Sequence, residues 1–364
     1  MRSLLSTGIQ RMKIFYISEG NIPSMSANSI QVMKMSEAIS RAVSRFCLLT
    51  LGDLRSFIKG ERFDFETWYG INYPFNITSL PILISYKYPF EPNYRNKIFP
   101  FWAVIYALIR KADIVFTRSL EAAQLAVDFG LKVILERHSP ALNTVVNDNQ
   151  GGDFLNRLLC LVTISDVLAE TYLREGLSEE KIIIKSDGVD LERFSNPITQ
   201  IEARKRLSLP EDRPIVAYVG HLYEKRGIEN IFMAAKDLTD IFFLIVGGWP
   251  EDVIRRRRDV EEMGLKNVRL VGFVPNRDVP FYLASAEVLL MPYSARISSW
   301  NWMSPLKLFE YMASKRPIVA TRVKAIESIL IHNHNAFLIE PDNSNELVMG
   351  IKAMISKKEM AEKL

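Results

Sequence analysis

A chain of 364 residues, 48% of them hydrophobic and 24% charged, can bury two cores of ordinary domain size, and this composition excludes a disordered or fibrous protein. The net charge of +4 is too small for the length to argue for or against nucleic acid, and only Cys47 and Cys160 are present, both inside apolar runs. No disulfide framework or thiolate metal site is implied, and a reducing compartment is expected. No apolar run reaches the ~20 residues of a membrane span.

Residues 1–12 read as a flexible extension without a signal-peptide core, with Met12 an alternative start. Lys13 to Ser18 is a short apolar strand ending in a Gly/Pro/Ser loop, Ser29 opens an apolar-periodic helix, and Phe46 to Leu51 is the next strand. Phe99 to Ile109, ending in Arg110-Lys111, is most simply a core helix, although its aromatic and basic ends also suit a membrane surface. Further strands are expected at Ile114 to Thr117, Lys132 to Glu136 and Leu161 to Ser165.

After Ser195-Asn196-Pro197 and a charged helix at Ile201 to Leu207, a second series of buried strands begins. Its members are Pro214 to Gly220, Phe242 to Gly247, Val268 to Gly272, Val288 to Pro292 and Ile318 to Ala320. Strands alternating with helical patterns predict two parallel, doubly wound α/β halves, with ligand sites in loops at the carboxyl edges of the sheets. The boundary is read at 192/193, giving domains 1–192 and 193–364.

The most informative stretch is Ser304 to Ala320. Ser304 reads as an N-cap and Pro305 as the first helical residue, so the N–H groups around Leu306 and Lys307 can meet an anion. Glu310 shares a face with Lys307 and lies about 9 Å along the axis from the helix start at Ser304, within reach of ribose hydroxyls if a phosphate sits there. Taken alone, this stretch reads first as an ordinary capped helix with a surface Lys/Glu pair, and only with the rest of the chain as an anion site.

Gly220-His221-Leu222-Tyr223-Glu224-Lys225-Arg226-Gly227 is a donor-rich turn between a strand and a helix, and Arg226 can grip two phosphate oxygens through its planar fork. Gly247-Gly248 and Gly272-Phe273-Val274 provide backbone that a flat base can approach. In the first half, Glu136 and His138 share a face of an extended strand, where His138 is either a proton carrier or a loop residue. His332 and His334 have metal-like spacing but lack a third ligand and read as a polar turn, and Arg255 to Arg258 reads as a solvated helix face. Trp300 and Trp302 suit either stacking on a sugar or base, or packing as an anchor.

The Ser304 to Ala313 segment with Arg316-Pro317-Ile318-Val319-Ala320 closely resembles the donor-site signature of family 4 retaining glycosyltransferases of the GT-B fold. Gly220-His221-Leu222 with Arg226-Gly227 resembles that family's phosphate loop, and Asp187 to Phe194 its interdomain segment. Val162 to Ser165 and Pro23 to Gln31 fit its usual order. The resemblance implies two Rossmann-like domains facing a central cleft, the first for the acceptor and the second for a nucleotide-sugar. It implies that Glu310 binds the ribose, Arg226 the diphosphate and the amides near Pro305 and Leu306 the phosphates, with His138 near the transferred sugar. His138, Arg226 and Glu310 are then the catalytic candidates. Gly220, His221, Gly247, Gly272, Phe273, Val274, Ser304, Pro305, Leu306 and Lys307 complete the donor site.

The implied reaction moves a sugar from a UDP- or GDP-sugar to a glycan, lipid-linked or small-molecule acceptor, with retention and with no required metal or other cofactor. The implied location is cytoplasmic or peripheral on the inner membrane face, as in polysaccharide assembly. Trp302 stands where the family often has a glutamate, so that residue's sugar contacts are not carried over. His221 replaces a common Arg and Arg226 a common Lys. The chain stops inside a helical pattern where relatives continue into a helix that crosses back to the first domain, and a catalytically impaired nucleotide-sugar-binding protein is the alternative. A nicotinamide-dependent dehydrogenase is disfavoured because Glu19-Gly20-Asn21-Ile22-Pro23 lacks the G-x-G-x-x-G turn.

Overall fold

The structure, a computed structural model, describes residues 11–52, 63–81, 92–140, 151–195 and 198–356. Residues 1–10 of the expected extension, Asn196-Pro197 and the chain end at Lys363-Leu364 lie outside the described residues.

Two compact units are present, Met1–Ser186 and Asp187–Leu364. The first runs β1 (Lys13–Asn21), α1 (Ala27–Ala42), β2 (Arg45–Gly52), α2 (Phe65–Tyr69), β3 (Asn76–Pro81), α3 (Pro92–Ile109), β4 (Ile114–Thr117), α4 (Leu120–Asp128), β5 (Val133–Arg137), α5 (Gly151–Arg157), β6 (Cys160–Thr163), α6 (Asp166–Arg174) and β7 (Ile182–Ile184). Its seven strands lie in the order β3-β2-β1-β4-β5-β6-β7, and every pair is parallel.

The second unit runs α7 (Gln200–Arg206), β8 (Ile215–Val219), α8 (Ile228–Asp237), β9 (Phe242–Val246), α9 (Pro250–Glu262), β10 (Val268–Gly272), α10 (Val279–Ser285), β11 (Val288–Met291), α11 (Leu306–Ala313), β12 (Ile318–Thr321), β13 (Phe337–Ile339) and α12 (Ser344–Ser356). Its six parallel strands are ordered β10-β9-β8-β11-β12-β13.

Both sheets are covered on both faces, which explains why their central strands are apolar without alternation. Along β8, Ile215, Ala217 and Val219 join one core while Val216 and Tyr218 join the other. Along β1, Phe15 and Ile17 face one side and Tyr16 the other. In each sheet the strand order reverses once, between β1 and β4 and between β8 and β11, and crevices open at the carboxyl ends of such switch points.

The segment from Asp187 to Phe194 belongs to the second unit for two local reasons. The Asp187 N–H donates to Ser304 Oγ at 2.8 Å, and Arg193, in a short 3₁₀ turn, pairs with Glu310 at 3.2 Å.

Several local expectations are corrected. Helix α1 is capped by Ser26, whose Oγ accepts from the Ser29 N–H at 3.2 Å, while Ser29 is itself buried inside the helix. The Arg255 to Arg258 run is not uniformly solvated: Arg256 is 5% exposed and bonds Glu229 at 2.6 Å and Asp259 at 3.0 Å. His332 does lie in a turn region, where its Nδ1 accepts from the Leu338 N–H at 3.0 Å. Helix α3 is a core helix on one side only, since Phe101, Trp102, Leu108 and Ile109 are exposed.

Candidate functional site

The β8/β11 switch point is built by a loop and a helix. Gly227 has φ 76°, and a Cβ there would overlap the Pro292 carbonyl, so only glycine lets the Gly220 to Gly227 loop close against the end of β11. Tyr311 fixes α11 over the same point. Its hydroxyl accepts from the Val219 N–H at 2.8 Å and donates toward the Leu290 carbonyl at 3.3 Å, bridging the ends of β8 and β11.

Helix α11 begins one residue later than expected. Pro305, with φ −76° and ψ 124°, is the cap residue, and Ser304 does not cap because its Oγ is taken by the Asp187 N–H. The first-turn N–H groups of Leu306 and Lys307 have no carbonyl one turn behind them, so the positive helix end faces the switch point.

Lys307 turns inward. Its Nζ is buried without a hydrogen-bond partner, 3.9 Å from the centre of the Tyr218 ring and 5.5 Å from that of Tyr293. Burial, reinforced by repulsion from Arg226, holds this amine well below the usual lysine range, with Glu310 opposing the shift. Arg226 itself lies 5.2 Å from the Tyr293 ring centre.

His221 stacks on Tyr223 at 4.7 Å, with Trp249 at 6.2 Å, and its Nδ1 is also buried without a partner. Burial, with Lys307 and Arg226 adding to it, pushes its pKa down to about 4. The ring is therefore neutral at neutral pH.

The acid of the site is held from one side. Glu310 Oε1 accepts from Arg193 Nη1 at 3.2 Å and from Asn276 Nδ2 at 3.4 Å, which leaves Oε2 without a partner among the described residues. Asn276 Oδ1 is buried without a partner as well. Gly272, Phe273 and Val274 lead from β10 into the turn that carries Asn276. Gly247, at φ 105°, has no room for a Cβ because the Gly220 carbonyl packs against it, so its close approach is to a neighbouring loop.

The structure thus brings Gly220, His221, Arg226, Lys307 and Glu310 to one end of the second sheet. Tyr218, Tyr293, Asn276 and Arg193 join them without having been singled out in the sequence. A position at or just past a central strand end was the available signal for the two tyrosines.

His138 belongs to a separate cluster, at the carboxyl edge of the first sheet. Its Nε2 lies 2.6 Å from Glu136 Oε1, which also accepts from Arg118 Nη2 at 2.7 Å. Arg118 Nη1 in turn donates to Asn28 Oδ1 at 2.9 Å. Burial alone would raise Glu136, but the bonds from His138 and Arg118 outweigh it and hold the carboxyl below the usual range. Burial lowers His138, against the opposing pull of Glu136. At the β1/β4 switch point Ser119 Oγ donates to Glu19, and burial pushes Glu19 up to about 7.

These elements define the architectural class, two doubly wound parallel units of the GT-B kind. HepE of Anabaena, solved in complex with UDP, shares the fold: the superposition has a TM-score of 0.71 at 15% identity and covers 97% of this chain and 92% of that one.

Residues 199–364 match the family described as Glycosyl transferases group 1, a match that lies within the second unit. TuaC of Bacillus subtilis (strain 168), a glycosyltransferase named for teichuronic acid biosynthesis, is 31% identical over 166 residues, covering 45% of this chain and 39% of TuaC. The alpha-D-kanosaminyltransferase of Streptomyces kanamyceticus is 27% identical over 172 residues, covering 45% of this chain and 42% of its own. The chain therefore spans about two fifths of the length of these curated relatives.

Proposed function

We propose that the chain is a family 4 glycosyltransferase that moves a sugar from a nucleotide-sugar to a glycan, lipid-linked or small-molecule acceptor with retention at the anomeric carbon. The observation that carries this reading is Lys307: a buried, unpartnered amine at a helix start, beside Arg226, is the arrangement a diphosphate completes. UDP and UDP-glucose are bound by HepE, which supports a UDP-sugar donor here, with a GDP-sugar as the other choice.

In this reading the first-turn amides of α11, Lys307 and Arg226 take the diphosphate and stabilise the charge that grows on it as the glycosidic bond breaks. Glu310 Oε2 accepts from the ribose hydroxyls, while Arg193 and Asn276 hold its other oxygen in place. His138, neutral and oriented by Glu136, lies on the acceptor side and contacts the transferred sugar. The departing diphosphate assists the incoming hydroxyl on the same face, and no metal or further cofactor is part of the proposal. A cytoplasmic location belongs to the same reading.

The test is incubation with UDP- and GDP-sugars and candidate acceptors, with the product's anomeric configuration read by NMR. An α-linked product from an α-donor supports retention, and an inverted product excludes it. A nucleotide-sugar that binds without transfer to any acceptor favours the impaired binding protein instead.

A further inference from the structure

Helix α3 is apolar around most of its circumference, which a helix packed on one side of a sheet does not require. Phe99, Ala103, Val104 and Ala107 are buried in the first core. On the opposite side Phe101, Trp102, Leu108 and Ile109 are 39%, 55%, 38% and 72% exposed. At 100° per residue these four, with Ile105 between them, make one continuous stripe.

The stripe ends in cations. Arg110 and Lys111 follow it directly, and both are exposed. Tyr106 and Arg110 also wall a cavity of about 400 Å³ at the amino edge of the sheet, away from the switch-point loops, whose lining includes Lys13, Arg45, Cys47 and Thr78 and no carboxylate. The Lys13 side chain donates to the Arg110 carbonyl, which ties rim and helix end together. Asp113, beside the start of β4, accepts from the Lys13 backbone N–H at 2.7 Å.

We infer that the outer stripe of α3 and the basic rim at the amino edge of the first sheet form a docking surface for an anionic lipid bilayer. The aromatic and aliphatic side chains enter the boundary between headgroups and acyl chains, and Lys13, Arg45, Arg110 and Lys111 meet the lipid phosphates. The charge selects this occupant: a second copy docked face to face would bring two cationic rims together, whereas an anionic surface complements them. The proposed function gives such attachment a use, a membrane-held acceptor, but the attachment does not require that function.

The full chain should co-sediment with vesicles of phosphatidylcholine mixed with phosphatidylglycerol, weakly with phosphatidylcholine alone, and less as salt rises. The double substitution Trp102→Glu with Ile109→Glu should reduce binding at least about tenfold. Arg45→Glu and Arg110→Glu should each reduce it about fivefold or more. Brominated lipid should quench fluorescence in the wild type and much less in Trp102→Phe.

Retained nucleotide-sugar binding and unchanged melting in these variants show that the fold is intact. No binding of the wild type to anionic vesicles, binding indifferent to the double substitution, or a dimer in sedimentation that the same substitution dissolves would each overturn the inference. Vesicle binding without any nucleotide-sugar binding would overturn the proposed function and leave this one standing.

Discussion

The side-chain nitrogen of Lys307 lies 3.9 Å from the centre of the Tyr218 ring and has no hydrogen-bond partner, although it is buried at the start of α11. A buried amine in this state weakens the fold, because its donors have lost water without gaining a partner. The geometry is one that a bound anion repairs.

Lys307→Met should therefore separate binding from stability. Affinity for a nucleotide diphosphate should fall by about 1.5–3 kcal/mol, the scale of a charged hydrogen bond. The melting temperature of the free protein should stay level or rise, because an unsatisfied donor is removed. Calorimetric titration and thermal unfolding on the same preparation check both.

Glu310 calls for two substitutions. Its carboxylate partners Arg193, whose side chain is only 7% exposed, so Glu310→Ala strands a buried guanidinium and should destabilise by about 3 kcal/mol. Glu310→Gln keeps an acceptor and should fold with a smaller loss while still weakening ribose binding. Urea unfolding of both variants, followed by titration of the folded Gln variant, separates the structural role from the proposed ligand role.

His221 and Glu19 make stability depend on pH in opposite directions. The free imidazole titrates near its ordinary value of 6.5 when unfolded and near 4 when folded, so between these values the unfolded state binds more protons. This contribution is lost as pH falls from about 6.5 to 4. Glu19 is raised from 4.5 to about 7, so the folded state holds the extra proton and stability declines as pH rises through that window. Glu19→Gln should raise the melting temperature more at pH 8 than at pH 5, and His221→Phe should flatten the acid side. Equal effects at all pH values would contradict both assignments.

Tyr311→Phe removes the hydroxyl that joins the ends of β8 and β11. The buried Val219 N–H then loses its acceptor, at a cost of about 1–3 kcal/mol. Denaturant unfolding measures the loss.

The central strands were legible because burial on both faces makes them continuous apolar runs, as in Ile215 to Val219 and Val288 to Met291. Strands β3, β7 and β13 are not legible in the sequence because they are peripheral: Asn76–Pro81 is half polar, and Ile182–Ile184 and Phe337–Ile339 are only three residues each.

Ser304 looked like a cap because local spacing permits it, but the N–H that occupies its hydroxyl comes from Asp187, 117 positions away. The partnership of Arg193 with Glu310 and the inward turn of Lys307 depend on the same long-range packing. Residue types at loop ends marked where the site lies, and tertiary contacts decided which of its atoms remain open to a ligand.

The central claim is that the end of the second sheet receives the diphosphate and ribose of a nucleotide-sugar. Calorimetric titration of the full chain with UDP-, GDP- and ADP-sugars, with NAD alongside, tests it most directly. The account predicts saturable binding of at least one nucleotide-sugar, weakened by Lys307→Met and by Glu310→Gln; binding of NAD with no response to any nucleotide-sugar would contradict it.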